Sequence, residues 1–277
     1  MEDELRFAIL IDADNISDKY IKIVLDEASN AGVATYKRIY GDWTSPRLAS
    51  WKSVLLENSI IPMQQYSYTA GKNSTDSAMI IDAMDILYSG TVDGFCIVSS
   101  DSDFTRLAAR LRESGMQVIG MGEEKTPEPF ISACNQFKYL DLLYSRQQEE
   151  ERAEAAAAEK AARANRPGRH AQALMVEASE AADESAESSG TSQNQRKRSL
   201  KRVRQTIHAI IDQFSDDDGW IASDKLGDQL ARRLTDFDVR NFGFRKLTSF
   251  VKSLGTYEFR SERIEGGGSK NYFRLRE

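Results

Sequence analysis

The chain holds only two cysteines and two histidines in 277 residues, and that scarcity excludes several classes of protein. Cys96 and Cys134 are too few for a disulfide framework, and with His170 and His208 they offer no zinc-ligand spacing. A reducing cytoplasm suits such a chain. Long apolar runs are also missing: none approaches the roughly 20 residues a bilayer crossing needs. The N-terminus, "MEDELRF", is acidic where an export signal would be rich in Lys and Arg. Neither a membrane partner nor a leader is expected, and no internal repeat of a solenoid period is present.

Positive charge is in short supply overall, with a formal net charge of −6 and a pI near 5.3. Taken whole, that argues against a polyanionic partner, because neutralising phosphates supplies most of the affinity for nucleic acid. The distribution says otherwise. Residues 1–195 carry 19 Lys and Arg against 31 Asp and Glu, a net of −12, whereas 196–277 carry 18 against 12, a net of +6. An acidic front and a basic rear imply divided labour, one part holding cations and the other something anionic.

What the sequence does have is alternation. From residue 7 to about 143, apolar runs interleave with amphipathic stretches, as strand and helix units of a parallel sheet do. Strands are expected at Phe7 to Ile11, Thr35 to Tyr40, Ile61 to Tyr66, Phe95 to Ser99, Gln117 to Met121 and Lys138 to Leu140. Helical stripes lie between them, such as Ile21, Val24, Leu25 and Ala28, and Met79, Ile80, Ala83, Met84 and Leu87. Gly32, Gly90 and Gly115 stand where helices should stop. The economical architecture is an α/β three-layer sandwich on a parallel sheet, over 1–145. Residues 146–198 read as a linker: an Ala/Glu/Arg-rich helical extension ended by Pro167-Gly168, then "EASEAADESAESSGTSQNQ", which has too little apolar surface to offset its ordering entropy. From 199 to 277, three helical stripes and two alternating segments around "EGGGSK" describe a small winged-helix-like α+β domain.

Two apolar runs end abruptly in acids: "FAILIDADN" and "FCIVSSDSDF". If these are neighbouring parallel strands, Asp12 and Asp101 meet at the C-terminal edge of the sheet, where ligands collect, with Asp14 and Asp103 two residues on. Asp76 falls in the first turn of a helix, after the potential caps Ser74 and Thr75, where the dipole favours an anion. Carboxylates gathered at one point repel unless a divalent cation holds them, and an all-oxygen set suits Mg²⁺ or Mn²⁺. Such a centre is suited to in-line phosphodiester hydrolysis.

At this point the residues resemble a family. "ILIDADN", "RIYGDWT", "YTAGKNSTDSAMIIDAMDILY", "DGFCIVSSDSDFTRLAARLRESG" and "GMGEEKTPEPFISACNQFKYLDLL" are similar to an NYN domain, the PIN-like nuclease branch that includes the LabA/DUF88 proteins. The tail, "DDDGWIASDKLGDQLARRLTDFDVRNFGFRKLTSFVKSL" with "YEF" and "YFRLRE", resembles an OST-HTH or LOTUS module. The resemblance implies a metal-dependent ribonuclease whose catalytic and metal-holding acids are Asp12, Asp76, Asp101 and Asp103. Asn15 and Ser100 match polar positions beside the metal, and Lys72 a basic residue just ahead of the helix acid. Many family members have Gly where Ser100 stands. Asp82 matches a recurrent family acid, yet six residues past Asp76 it points about 240° away around the helix, which suits a supporting role. RNA, single-stranded by preference, is the implied partner. LOTUS modules also bind proteins, and PIN-like domains often pair, so a protein partner and a homodimer stand beside it.

Plainer readings accompany these. Asp103 also suits the cap of the helix near Phe104, and Asp14 a turn. Asp12 with Asp14 imitates the D-x-D of haloacid-dehalogenase phosphatases, but Asn15 does not fit that pattern. "GKNST" lacks the upstream glycine of a phosphate-binding loop, which discounts ATP. Lys72 is either a solvated loop lysine or a phosphate contact. "RKRSLKRVR", with Arg232, Arg233, Arg245 and Lys246 and with Tyr257 and Tyr272 near, is either a solvated face or a surface that follows an RNA backbone and stacks bases. The rival to a nuclease is a non-catalytic regulatory adaptor that binds RNA or protein.

Overall fold

The structure, a computed structural model, describes residues 4–66, 74–164, 189–264 and 268–276. Lys72, the Pro167-Gly168 helix stop and most of the acidic tether lie outside the described residues. In chain order the elements are β1 (Arg6–Asp12), α1 (Ile21–Ala31), β2 (Val33–Gly41), α2 (Trp51–Asn58), β3 (Ile61–Gln64), α3 (Ser74–Ser89), β4 (Gly94–Val98), α4 (Thr105–Glu113), β5 (Gln117–Gly122), α5 (Glu128–Ala133), β6 (Gln136–Tyr139) and α6 (Leu140–Ala164). Then come α7 (Ser189–Phe214), β7 (Ile221–Ala222), α8 (Ser223–Arg233), α9 (Leu247–Ser253), β8 (Tyr257–Ile264) and β9 (Gly268–Leu275). Two compact units result: Met1–Arg146 with Ala231–Ser253, and Gln147–Leu230 with Leu254–Glu277. Among the described residues no helix is long and apolar enough to cross a membrane.

The first unit is an α/β sandwich built on six parallel strands in the order β3-β2-β1-β4-β5-β6. Period-two alternation divides its core in two. Phe7, Ile9 and Ile11 of β1, with Cys96 and Val98 of β4, face one layer that holds Ile23 and Val24 of α1 and Trp51 and Leu55 of α2. Ala8, Leu10, Phe95 and Ile97 face the other, against Met79 and Ala83 of α3, Leu107 and Leu111 of α4, and Phe130 of α5. Apolar runs with no polar alternation are what a sheet covered on both faces requires. The expected strands stand within a few residues. β3 stops at Gln64, short of Tyr66, and β6 is displaced N-terminally because Leu140, fully buried, opens α6 instead of ending a strand.

Gly90 and Gly115 close α3 and α4 with φ of 66° and 83°, the left-handed region that glycine enters freely. Gly32 ends α1 for another reason. Its φ of 162° is extended backbone, but an added Cβ would lie 2.1 Å from the Leu5 carbonyl oxygen, so close approach is what demands glycine there.

A buried ion network ties residues of the 231–253 stretch into this unit. Arg240 donates through both terminal nitrogens to Glu27 of α1, at 2.5 and 2.8 Å, and also to Asp238. Lys138 of β6 lies 3.5 Å from Glu27 and 3.1 Å from Asp238. Along β6, the edge strand, the Phe137 N–H donates to the Thr235 carbonyl at 2.8 Å and the Tyr139 hydroxyl to Asp236 at 3.2 Å, which engages backbone and side-chain groups on an otherwise open sheet edge. Burial by itself would raise both acids. The Arg240 hydrogen bonds and the Lys138 charge outweigh it, holding Glu27 below its ordinary range and Asp238 at about 2.

In the second unit, the α7 stripe Val203, Ile207, Ile210 and Ile211 is buried, as are Leu226 and Leu230 of α8. β8 and β9 form the expected antiparallel hairpin. A third strand, β7, pairs with β9 through Ile221 and Ala222; at two residues it is too short to leave a periodic signal in sequence. Helix α7, α8 as far as Leu230 and this antiparallel sheet make up the small C-terminal α+β unit, while α9 falls in the stretch that clusters with the first unit.

Replacing Arg240 with Leu leaves Glu27 buried with only Lys138 for charge balance, and should cost about 2–3 kcal/mol in denaturant unfolding. Asp238 has a depressed pKa, so its contribution is present above its unfolded value of 3.8 and lost as pH falls toward about 2. Asp238→Asn should therefore be less stable than wild type by a constant margin at neutral pH, a margin that closes through that acid window in urea titrations.

Candidate metal centre

β1 and β4 are adjacent and parallel, with Ile11 opposite Val98, so the next residues, Asp12 and Ser99, emerge side by side. The strand order reverses direction between them, because β1 connects on toward β2 and β4 toward β5. That reversal opens a crevice beyond the strand ends, the usual ligand position in such sheets.

Asp12 is fully buried. One of its oxygens accepts the Asp14 N–H at 3.1 Å; the other accepts Asn15 Nδ2 at 2.6 Å and Ser99 Oγ at 2.8 Å. Burial outweighs these bonds and raises its carboxyl above the ordinary range. Ser99 Oγ also accepts the Asp101 N–H at 3.1 Å, so one hydroxyl joins the β1 acid to the loop after β4. Asp101 in turn accepts the Asp103 N–H at 2.9 Å and caps the 3-10 turn Ser102–Phe104. The capping role open to Asp103 thus belongs to Asp101, whose extended backbone at φ −90° and ψ 135° is the geometry a cap requires.

Asp76 arrives from the other direction, in the first turn of α3. It is 8% exposed, and its carboxyl is pushed up to about 6, first by burial and then by the charges of Asp12, Asp101, Asp103 and Asp14. Oxygens of Asp76, Asp101 and Asp103 all lie within 4.8 Å of one another. That spacing is comparable with the ~4–5 Å between opposite oxygen ligands at 2.0–2.6 Å from a hard cation. An all-oxygen donor set whose own repulsion raises a carboxyl fits a divalent ion. Asp12 is not one of these three mutually close acids. Its oxygens accept three hydrogen bonds, which leaves about one of a carboxylate's roughly four lone-pair sites.

The other expected site residues are placed as follows. Asn15 touches Asp12 and holds its orientation. Ser100 Oγ accepts the Glu123 N–H at 2.9 Å and so joins the loops after β4 and β5, while its neighbour Ser99 reaches the acid. Asp82 is engaged by Arg38 and Tyr40, a structural role consistent with its angle on the helix. Arg232 and Arg233 lie exposed in the last turn of α8, and Arg245 and Lys246 are exposed ahead of α9. Two residues escaped the sequence reading, and a third has another contact beside the role expected of it. Ser99 had a signal, since it continues the β4 alternation onto the Asp12 side. Arg47 had none: it lies 3.6 Å from the Asp14 carboxylate, 33 positions away in sequence. Thr75, expected as a potential cap, donates its hydroxyl to the same carboxylate at 2.9 Å, across 61 positions.

A carboxyl raised by folding destabilises the folded state once it ionises. The penalty is absent below the unfolded value of 3.8 and complete above about 6. Asp76→Asn should therefore melt about 2–4 °C higher than wild type at pH 8 in chelator, with the gap closing at pH 4. Added Mg²⁺ or Mn²⁺ should raise the melting temperature of wild type and leave the variant little changed, as differential scanning fluorimetry would read.

Comparison with known proteins agrees with this layout. Residues 6–141 match the NYN domain, and residues 198–270 match the OST-HTH/LOTUS domain. No curated protein matches the chain. Among solved structures, a protein of unknown function from Vibrio parahaemolyticus RIMD 2210633 is similar at 18% identity over 50% of this chain and 94% of that one, with a TM-score of 0.42. The acids at the β1 and β4 tips therefore stand in an NYN domain of the PIN-like nuclease superfamily, and an OST-HTH/LOTUS domain follows it in the same chain.

Proposed function

We propose that this protein is a metal-dependent ribonuclease, in which residues 1–145 hydrolyse RNA phosphodiester bonds, residues 146–198 act as a tether and residues 199–277 hold RNA. The observation that carries the reading is the convergence of Asp76, Asp101 and Asp103 beside the buried Asp12. Asp76, Asp101 and Asp103 would hold the ion, with the remaining lone pair of Asp12 available to it or to a bound water. Mg²⁺ or Mn²⁺, when bound, would supply an activated water and balance charge at phosphorus.

The chain's own residues do the positioning. Asn15 and Ser99 fix the Asp12 carboxylate, and Ser99 also fixes the Asp101 backbone, so the β1 and β4 contributions keep their spacing without help from substrate. The Asp101–Asp103 turn presents two acids from one rigid cap. Arg47, 78% exposed and anchored by Asp14, offers a cation at the rim of the acids where a phosphate would approach; Lys72, just before α3 in sequence, is assigned a phosphate contact on the family resemblance alone. Ser100 supports the site through its loop. Arg232, Arg233, Arg245 and Lys246 are exposed cations on the RNA-holding part. A tether between two weak binders raises effective concentration without new contacts. Both cysteines are buried and free, which suits a reducing cytoplasm.

Incubation of the purified chain with labelled single-stranded RNA and Mn²⁺ should give cleavage that chelator stops. Asp101→Asn should abolish it, and Ser99→Ala should slow it about 10–100-fold, the usual cost of losing a ligand's hydrogen-bonding neighbour. RNA bound but left intact by wild type would favour the adaptor reading, and equal cleavage by wild type and Asp101→Asn would trace the activity to a contaminant.

A further inference from the structure

The outward face of the C-terminal sheet carries a layer of rings and guanidinium groups. Across β8 and β9 the opposed pairs are Glu258 with Arg274, Arg260 with Tyr272, and Glu262 with Lys270. Period two puts all six on one face and turns Tyr257 and Phe273, both buried, to the other. Trp220 precedes β7 and joins the outward face: Arg260 Cζ lies 4.7 Å and Arg274 Cζ 4.8 Å from its ring, and Arg260 is also 5.4 Å from the Tyr272 ring. Trp220 is itself held by a closed turn, in which its N–H donates to the Asp216 carboxylate at 2.6 Å and its carbonyl accepts the Asp216 N–H at 2.9 Å.

The layer is fixed in place and still open. Glu258 accepts from two nitrogens of Arg274, at 3.1 and 2.6 Å, and Glu262 pairs with Arg260 at 2.9 Å. The Arg260 and Arg274 side chains nevertheless remain 44% and 38% exposed. Preset planes cost a ligand little ordering. The surrounding stretch, 196–277, has an excess of six positive charges, and Lys270 adds a cation at the edge of the layer. Flat partners with an anionic backbone and unpaired bases match all three features. A duplex hides its bases, and an acidic peptide has no use for the planes.

We propose that Trp220, Arg260, Tyr272 and Arg274 form a base-stacking face for single-stranded RNA, built from residues other than the cations Arg232, Arg233, Arg245 and Lys246. The inference rests on the RNA-directed part of the function proposed above, and it is independent of cleavage. Its test uses the full chain carrying Asp101→Asn, in chelator, with a fluorescein-labelled single-stranded RNA of about 12 nucleotides. Arg260→Ala and Tyr272→Ala should each weaken binding about tenfold by anisotropy. Binding should quench tryptophan fluorescence, an effect lost in Trp220→Phe. An abasic oligomer of equal length should bind more weakly and be indifferent to Tyr272→Ala. Variants that keep the wild-type melting temperature and bind RNA as wild type does would overturn the proposal, as would equal binding of the abasic oligomer. A folded chain with no affinity for single-stranded RNA would assign the face to a partner of another class and overturn it too, while cleavage assays on the unmutated chain would still decide the acid cluster's role.

Discussion

Repulsion among carboxylates that the sheet forces together is the constraint on which the first unit's site depends. A parallel sheet ends all its strands at one edge, and where the order reverses between β1 and β4 the chain leaves the two tips in opposite directions. The acid at β1 is fully buried and meets the loop after β4 through one serine hydroxyl, while α3 brings its own acid in from outside the sheet. Each placement has a local cause, but the sum is a desolvated pocket of like charge, in which burial first and the neighbouring carboxylates second raise the Asp76 carboxyl to about 6. The fold tolerates this cost at a point where a cation can offset it, and an active centre is where such a local penalty is expected.

Other buried acids in the same unit show the contrast. Glu27 and Asp238 are desolvated too, yet Arg240 and Lys138 surround them and their carboxyls are held low. Asp82 is likewise matched by Arg38 and Tyr40. Burial therefore does not distinguish the clustered acids from the charge-paired ones. The difference is the counter-charge: among the described residues, the charges that act most on Asp76 are all of its own sign.

The second unit solves a different problem. Its sheet has only three strands, one of two residues, so half of each strand must face solvent. Glu258, Glu262 and Lys270 are ordinary choices for such a face. Trp220 and Tyr272 with two arginines are not, because aromatic surface left in water gives up burial energy that the core could have used. Their mutual stacking and the two carboxylate anchors recover part of this and fix the planes in position.

Much of this was legible in the amino-acid order. Apolar runs of strand length ending in acids predicted both the parallel sheet and the positions of Asp12 and Asp101, because strand direction alone carries a residue to the ligand edge. Helical periodicity placed Asp76 in a first turn and turned Asp82 away from it. What the sequence could not decide was which polar atoms would meet. Ser99 and Ser100 are chemically identical neighbours, and only the pairing of β1 with β4 sends the first to Asp12 and leaves the second to the Glu123 amide. Whether Asp12 would join the three close acids, how Arg240 would neutralise Glu27 across 213 positions, and that a tryptophan in a turn would meet two arginines at 4.7 and 4.8 Å are likewise tertiary outcomes. Periodicity and turn chemistry are local and survive in one dimension, whereas hydrogen bonds and charge pairs between distant residues exist only once packing has fixed their separation.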